Sequence, residues 1–260
     1  MKRISFRHLA LNLTANLAAC LAAAPLVLGL AACDKKDAAN GALSGEPIAK
    51  VAAPAGQIWS DVVAKTPEGG YRMGNPDAPI KLVEYGSLTC PHCGQFAQES
   101  GEELRSSFVN SGRVSFEFRN FVRDPIDLTA SQLTRCGTPE SFFALTEHAF
   151  ANQTAMIEKV QAAGDAAYNA AIQQPEARRG IALAELTGLI DFFAARGIAR
   201  EQAEACLADG AAAKALAQAT QDQGAQYNIE GTPTFLINGQ KVDMNTWPEL
   251  KARLESLGAR

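Results

Sequence analysis

The chain has 260 residues, 47% of them hydrophobic, and a formal net charge of −4. This length allows one domain of ordinary size with an insertion, and enough chain to bury a proper core. No basic cluster stands out in the body of the chain, so nucleic-acid binding has no electrostatic support. Six cysteines are too few for the disulfide scaffold of a small secreted domain.

Residues 1–33 have the composition of an export signal. Three basic residues lie within the first seven, and residues 17–32 form an almost unbroken apolar run. The letters Leu30-Ala31-Ala32-Cys33 resemble the bacterial lipobox, in which the cysteine is lipidated and becomes the mature N-terminus. Cys20 is preceded by the same letters, but cleavage there would leave residues 21–32 apolar and exposed. The sequence therefore predicts a lipoprotein signal peptide ending at Cys33; an uncleaved anchor or ordinary cleavage near Ala32 is the alternative.

A flexible tether is predicted for residues 34–57, which are mostly Ala, Gly, Pro, Ser and Lys and show no periodicity. A lipid on Cys33 would hold the folded domain, predicted at residues 58–260, to a membrane face. Residues 58–63 are predicted as a first irregular strand or helix, and residues 69–79 as turns that lead into the core.

The central feature is a buried strand, a short turn and a helix that carries two cysteines in its first turn. Residues 80–85 are apolar on both faces, as in a strand covered on both sides. Cys90 and Cys93 form a Cys-x-x-Cys pair at this strand-to-helix junction, which indicates a thioredoxin-type redox site. Cys90 is expected at the helix N-terminus, where free N–H groups and the helix dipole stabilise a thiolate. Pro91 fits the first helical position, because its missing N–H has no partner there.

The residue between Pro91 and Cys93 favours an oxidising site. His92 can place positive charge and donors beside Cys90 and so lower its pKa. A stabilised thiolate is a good leaving group, which makes the disulfide form a strong oxidant. A structural zinc site is the alternative, because Cys-x-x-Cys is also a metal half-site. It would need a second ligand pair, and after the signal only His92, His148 and two widely spaced cysteines remain.

The motif Cys90-Pro91-His92-Cys93 resembles that of the DsbA-like thiol:disulfide oxidoreductases of the bacterial cell envelope. The resemblance covers residues 79–257 and implies an α/β thioredoxin fold with an inserted all-helical domain. We expect this insertion at about residues 126–209, where the sequence shows helical stretches and no strand pattern.

Glu84 is an unusual residue for the predicted core strand, since it lies on the same face as Ile80 and Leu82. A buried carboxylate is costly without a partner, and its pKa rises. In DsbA-like proteins a glutamate six residues before the first cysteine handles the proton of the second cysteine. The resemblance therefore implies a proton-relay role for Glu84; a strand-end glutamate that reaches water is the alternative.

A second strand is predicted from the alternation of Val114, Phe116 and Phe118, and a right-handed crossover would make it parallel to the first. A long helix is expected at about residues 211–226. A hairpin with an Asn-Gly turn follows at residues 231–242, and an amphipathic helix closes the chain at residues 245–257.

Thr232 and Pro233 lie at the start of this stretch, just before its first strand. Thioredoxin-like proteins carry a cis-proline here that faces the cysteine pair, and Thr232-Pro233 matches it. The resemblance thus implies a substrate-binding role, in which the Thr232 backbone pairs with an extended substrate segment. A trans-proline at the start of an edge strand is the alternative.

Cys136 and Cys206 both fall in the predicted helical block. Some DsbA-like proteins carry a second, non-catalytic disulfide in this insert, so the resemblance implies a structural Cys136–Cys206 bond. Closing a 70-residue loop could contribute roughly 4 kcal/mol on the chain-entropy model, as an upper figure. Two separate buried thiols are the alternative.

The predicted function is donation of the Cys90–Cys93 disulfide to reduced exported proteins, with no cofactor and no metal beyond this disulfide. The resemblance implies a DsbB-type membrane protein as reoxidant. The predicted location is the bacterial periplasm, either anchored to a membrane or secreted into the periplasm, as a monomer. Asp34 beside the lipidated position resembles an inner-membrane retention signal.

Two other functions remain open from the sequence. One is a related activity, as a disulfide isomerase or a thiol reductase. The other is a lipoprotein metallochaperone that binds Cu(I) through Cys90 and Cys93. His92 and the Thr232-Pro233 segment argue against copper transfer, because both have a ready purpose only in thiol–disulfide exchange.

Overall fold

The computed structural model describes residues 45–260, and six strands within this range form one mixed sheet. The strands are β1 (Val63–Lys65), β2 (Tyr71–Met73), β3 (Ile80–Gly86), β4 (Val114–Asn120), β5 (Thr234–Ile237) and β6 (Gln240–Val242). Their order across the sheet is β1-β2-β4-β3-β5-β6. The central strands β3 and β4 are parallel, as the sequence predicted, and the other neighbouring pairs are antiparallel.

Nine α-helices lie in the described part of the chain. They are α1 (Pro91–Glu103), α2 (Pro125–Thr134), α3 (Phe142–Ala151), α4 (Gln153–Ile172), α5 (Glu176–Thr187), α6 (Leu189–Ala194), α7 (Arg200–Ala208), α8 (Gly210–Tyr227) and α9 (Trp247–Ser256). A 3₁₀ turn (Trp59–Asp61) precedes β1, a π-helical turn (Leu104–Val109) continues α1, and a second 3₁₀ turn (Pro139–Ser141) precedes α3. The segment between β4 and β5 contains helices and no strand, which agrees with the predicted all-helical insertion.

Both faces of the central strands are covered, which explains their nearly continuous apolar sequence. All of β4 is buried, and in β3 only Lys81 is exposed. On one face, Leu82 belongs to the main core, where Phe96 of α1 packs on Phe235 of β5 with ring centroids 4.6 Å apart. On the other face, Val83 and Tyr85 belong to a smaller apolar cluster.

A disulfide ties two helices of the insertion together. Cys136, just after α2, is bonded to Cys206 of α7, and their Cα atoms are 6.0 Å apart. The pairing is the one that the sequence analysis expected. Gln202 reinforces it by donating from Nε2 to the Cys136 carbonyl oxygen at 2.7 Å.

The predicted tether extends too far towards the domain. Gly45 N donates to Ser256 O at 2.7 Å, and Ile48 N donates to Gly258 O at 2.9 Å. Val51 N donates to the Ser111 carbonyl oxygen at 3.0 Å. Residues 45–51 therefore belong to the folded domain and not to a tether ending at residue 57. These contacts use backbone groups, which leave no side-chain pattern in the sequence.

The region before β3 was also only partly predicted. Residues 71–73, expected within a run of turns, form β2, which pairs with β1 and β4. A three-residue strand between Gly70 and Gly74 is too short to show an alternating pattern. The predicted signal peptide at residues 1–33, the lipidation site Cys33, the neighbouring Asp34 and the first part of the tether, residues 34–44, lie outside the described residues.

Candidate active site

Cys90 is the N-cap residue of α1, with an extended backbone (φ −86°, ψ 118°) just before Pro91 begins the helix. Its carbonyl oxygen accepts the first helical hydrogen bond, from Gly94 N at 3.1 Å. The first turn of α1 contains no acidic residue, so no carboxylate of the helix itself opposes a negative charge on the Cys90 sulfur. The local sequence therefore places this sulfur at the positive end of the helix.

The loop before β5 faces this sulfur. The Thr232–Pro233 peptide bond is cis, and the Cys90 thiol donates to the Thr232 carbonyl oxygen at an Sγ–O distance of 3.2 Å. Within the part of the chain that the structure describes, Thr232 Oγ1 is buried without a hydrogen-bond partner. When Cys90 ionises, its sulfur can accept from the Thr232 hydroxyl. The structure thus brings together the two segments that the sequence predicted to face each other.

The surroundings of Cys90 stabilise its thiolate strongly. They lower the pKa of Cys90 from 9.0 to about 4, chiefly because the Cys93 thiol donates a hydrogen bond to it. The Thr232 hydroxyl and the backbone N–H groups of Cys93 and His92 add to this effect, and together they outweigh burial. Cys90 is therefore a sulfur that carries negative charge at neutral pH.

His92 contributes to this site through its backbone. Its side chain is exposed and lines a groove of about 250 Å³ together with Phe96, Thr232 and Pro233. The role that the sequence analysis gave to the charge on the imidazole stays a prediction.

Cys93 has the opposite character to Cys90. Its side chain is fully buried, and burial is the main reason why the pKa of its thiol is raised far above the ordinary value. The hydrogen bond that it donates to Cys90 and the nearby charge of Glu84 raise this pKa further. One sulfur of the pair is thus a stable thiolate, and the other holds its proton.

Glu84 lies on β3 under the cysteine pair, with 2% of its surface exposed. Burial, and to a smaller extent the negative charge of Cys90, raises its pKa from 4.5 to about 8. Its Oε1 atom is buried and has no hydrogen-bond partner among residues 45–260. Glu84 is thus buried in the core instead of reaching water, and its role as a proton relay stays a prediction.

Two residues of the insertion that the sequence analysis did not single out fix the loop before α1. Asp127 of α2 accepts from Leu88 N at 2.8 Å through Oδ1. Gln153 of α4 donates from Nε2 to the carbonyl oxygens of Leu88 and Cys90, at 2.9 and 3.0 Å. Both side chains are buried, and burial raises the pKa of Asp127 to about 6. For the Asp127 contact, the only signal in the sequence is that Asp127 is the third residue after the helix N-cap Asp124.

A second, larger groove of about 730 Å³ begins at Pro91 and runs between α1 and the helices α3 and α4. It is lined by residues of all three helices, among them Gly101, Glu147 and Gln153.

Among residues 45–260, no group of three or more His, Cys, Asp or Glu side chains is placed to hold a metal ion. In the same range, no helix combines the length and the apolar character needed to cross a bilayer.

A family model described as thioredoxin matches residues 66–256. The chain belongs to the thioredoxin family. The all-helical insertion places it with the DsbA-like thiol:disulfide oxidoreductases of this family, which confirms the assignment and the fold class expected from the sequence.

Solved structures of thioredoxin-family proteins agree with this assignment. A protein-disulfide isomerase from Novosphingobium aromaticivorans is 39% identical, with a TM-score of 0.66, over 70% of this chain and 96% of the other. The alpha-DsbA1 protein of Wolbachia pipientis is 20% identical, with a TM-score of 0.57, over 73% of this chain and 90% of the other. The second similarity supports the fold alone.

Curated relatives of this thioredoxin-family chain are more distant. A Rickettsia bellii protein, provisionally named a protein-disulfide oxidoreductase, is 24% identical over 194 residues, which are 75% of this chain. The match spans 66% of that relative's length, and 56% of the next relative's.

Proposed function

We propose that this protein is a thiol:disulfide oxidoreductase that donates the Cys90–Cys93 disulfide to reduced exported proteins. The observation that carries the proposal is the thiolate at Cys90, whose pKa of about 4 makes it a good leaving group. A disulfide that includes such a sulfur is readily reduced, and it therefore oxidises other thiols. The two cysteines supply the redox chemistry, and the proposal needs no further cofactor or metal.

The reaction begins when a substrate thiolate attacks the Cys90 sulfur of the disulfide. A substrate–Cys90 bond forms, the Cys90–Cys93 bond breaks, and Cys93 leaves and takes up a proton. Glu84 is the proposed donor of this proton, because its raised pKa leaves it protonated near pH 7. A second substrate thiolate then attacks the substrate sulfur, and Cys90 leaves as a stable thiolate. The substrate gains a disulfide, and the enzyme ends as a dithiol.

Substrate capture is proposed at the loop before β5. Thr232 presents its carbonyl oxygen beside Cys90, and the adjacent Pro233 is buried. An extended peptide can pair with this backbone while its cysteine approaches the reactive sulfur. Recognition through the backbone suits an enzyme that acts on many unfolded proteins.

The equilibrium reduction potential of the Cys90–Cys93 pair tests the direction of the reaction. It can be measured against glutathione buffers, with the Cys136–Cys206 bond followed separately by mass spectrometry. We expect a potential well above that of thioredoxin, which is about −270 mV. A potential as low as that of thioredoxin would rule out the oxidase assignment.

Disulfide isomerisation is the second candidate, because the Novosphingobium protein that is 39% identical is named a protein-disulfide isomerase. Two substrates separate the activities: fully reduced ribonuclease requires an oxidase, and scrambled ribonuclease requires an isomerase. We expect faster recovery of activity from reduced than from scrambled ribonuclease. The reverse order, together with a dimer in gel filtration, would favour the isomerase. A reductase would reduce substrate disulfides under both conditions.

Tight binding of Cu(I) by the reduced protein, with little dithiol oxidation, would instead favour a metallochaperone.

The proposed setting is the bacterial periplasm, where a monomeric domain is held to the inner membrane. The support is the lipobox at Cys33 and the basic and apolar segment before it. A DsbB-type membrane protein is the proposed reoxidant. Metabolic labelling with a fatty acid and membrane fractionation of the wild type and Cys33→Ser test the anchor: we expect Cys33→Ser to lose the label and leave the membrane fraction.

A further inference from the structure

Each catalytic cycle of the proposed function must move one proton to Cys93 and one proton away from it. Both Cys93 and Glu84 are buried, with at most 2% of either side chain exposed. On the neighbouring strands, the residues in register with Glu84 are Phe118 of β4 and Phe235 of β5. These aromatic side chains offer no group that carries a proton. A route to solvent must therefore leave on another side.

A small cavity of about 40 Å³ lies between the sheet and the helices α1 and α3, and Glu84 lines it. Thr146 of α3 lines the same cavity, and its side chain is also almost completely buried. Glu84 Oε1 and Thr146 Oγ1 both lack a hydrogen-bond partner within the described residues. Buried polar atoms are normally paired, and unpaired ones are commonly satisfied by water. The cavity has room for about two or three water molecules, which these two oxygens could bind.

The cavity adjoins the large groove between α1 and α3. Ala97, Gly101, Glu147 and Phe150 line both, so these residues lie between the cavity and the groove. Gly101 is the smallest part of this wall. A Cβ atom at Gly101 would meet no atom within 4 Å, so packing does not require glycine there. Glycine inside a helix lowers stability relative to alanine. A glycine that packing does not require therefore points to another role at this position, such as keeping the wall thin.

Charged groups stand at the outer end of this passage. Glu147 of α3 pairs with Arg105 of the π-helical turn, and both side chains are partly exposed to solvent. The titratable groups that face Glu84 at the inner end are Cys90 and Cys93 of α1. The passage therefore leads from the buried acid to a charged pair at the surface.

We infer that protons pass between Glu84 and solvent through this cavity, with Thr146 as a positioning residue and Gly101 as the opening. The inference rests on the proposed function, because only turnover of the cysteine pair requires this proton. Thr146 holds water in line with the Glu84 carboxyl group. It touches neither cysteine and changes no equilibrium property of the pair. Its effect is on the rate at which the proton is exchanged.

The step that isolates this transfer is closure of the mixed disulfide between Cys90 and glutathione. Glu84 first passes its own proton to the cavity water, and its carboxylate then accepts the proton of the Cys93 thiol. The Cys93 sulfur attacks Cys90, the Cys90–Cys93 bond forms, and glutathione leaves as a thiolate. Acid quenching at timed intervals and mass spectrometry follow the closure in single turnovers.

Thr146→Val removes the hydroxyl with little change in volume. We expect closure to slow about tenfold, as for loss of one hydrogen bond in a transition state, with a larger solvent deuterium isotope effect. The reduction potential and the titration of the Cys90 thiolate should not change. Thr146→Ser keeps the hydroxyl and should close at the wild-type rate. Thr187→Val is the matched control, because Thr187 is a buried helical threonine whose hydroxyl donates to Leu183 O in the insertion.

Gly101→Leu tests the opening without touching either polar oxygen. Leucine should fill the passage and slow closure, whereas Gly101→Ala adds one methyl group and should close faster than Gly101→Leu. Thermal unfolding of each variant shows whether it is folded. Equal closure rates in Gly101→Leu and Gly101→Ala would contradict the assigned opening.

The outcomes distinguish a failure of the proposed function from a failure of the proton route alone. If the wild type does not exchange its cysteines with glutathione, the proposed function fails and the proton route fails with it. If the wild type exchanges normally and Thr146→Val closes with the wild-type rate and isotope effect, the route alone is wrong. A slower Thr146→Val whose reduction potential shifts in proportion to the rate would make Thr146 a structural residue, and would also overturn the inference.

Discussion

Replacing Glu84 by glutamine in the oxidised protein should change how the free energy of unfolding depends on pH. In the oxidised protein, Cys90 and Cys93 are bonded in both the folded and the unfolded state, so neither titrates. Glu84 does titrate in both states, with an ordinary pKa of 4.5 when unfolded and a pKa raised to about 8 by burial in the folded dithiol form. Burial is the larger cause of this shift, so a raised pKa persists when the Cys90 charge is lost.

The sign follows from which state ionises first. Below pH 4.5 the carboxyl group is protonated in both states, and the stability associated with its raised pKa is fully present. As the pH rises, the unfolded state ionises while the folded state stays protonated, so wild-type stability falls until the folded pKa is passed. One proton gives a slope of about 1.4 kcal/mol per pH unit. From pH 5 to pH 7 the wild type should therefore lose roughly 2.5 kcal/mol relative to Glu84→Gln.

Urea unfolding at pH 5, 6 and 7, without reductant, measures this difference. Glutamine is similar in size to the carboxylic acid, and its amide adds only an offset that does not vary with pH. Glu103→Gln is the control: a hydrogen bond from Lys251 lowers the pKa of Glu103, so this half-buried group is largely ionised in both states throughout the range. The difference between wild type and Glu103→Gln should be flat from pH 5 to pH 7.

A difference between wild type and Glu84→Gln that varies by less than about 0.3 kcal/mol per pH unit would refute the reasoning, because one proton with a raised pKa requires a much steeper slope. That result would mean that the Glu84 carboxyl group ionises as it does in water. The protonated acid that the mechanism assigns to neutral pH would then not exist.

Three further predictions concern the cysteines and the loop before them. Absorbance at 240 nm should show Cys90 of the reduced protein ionising with a midpoint near pH 4, and Cys93→Ala should raise this midpoint, because the hydrogen bond from Cys93 is the largest contribution. The double variant of Cys136 and Cys206 to alanine should lose about 2–5 kcal/mol in guanidinium unfolding while its Cys90 midpoint stays in place; an unchanged stability would contradict a structural bond. Asp127→Asn should lower the free energy of unfolding by about 1–3 kcal/mol at pH 7, because the buried carboxylate accepts hydrogen bonds from backbone N–H groups of the loop. A loss of only ~0.3 kcal/mol, as for an ordinary surface substitution, would contradict this anchoring role.

The chemistry of the site could be predicted because local rules determine it. The spacing of Cys90 and Cys93, with Pro91 between them at the first helical position, specifies a helix N-terminus without knowledge of the rest of the fold. Glu84 could be recognised because a charged residue interrupts an otherwise apolar strand. In each case the signal lies within about six residues of the feature that it predicts.

The supports of the site could not be predicted, because they come from distant parts of the chain. Gln153 contacts Leu88 and Cys90 across more than 60 residues, and its neighbours in α4 give no hint of this. Thr146 looks like any threonine on an amphipathic helix until the cavity beside it is seen. The extended segment at residues 45–51 has no side-chain pattern, because it is held through its backbone.

That same segment brings the two ends of the described chain together. Arg260 donates from Nη2 to the Gly45 carbonyl oxygen at 2.7 Å, beside the backbone contact between Ile48 and Gly258. A few added glycines could join these ends, and new termini could be opened at the exposed hairpin turn of Asn238 and Gly239. Such a circular permutant would retain every strand pairing and would lose only the covalent connection between β5 and β6. Any domain fused after Arg260 would emerge beside Gly45, the first described residue of the chain.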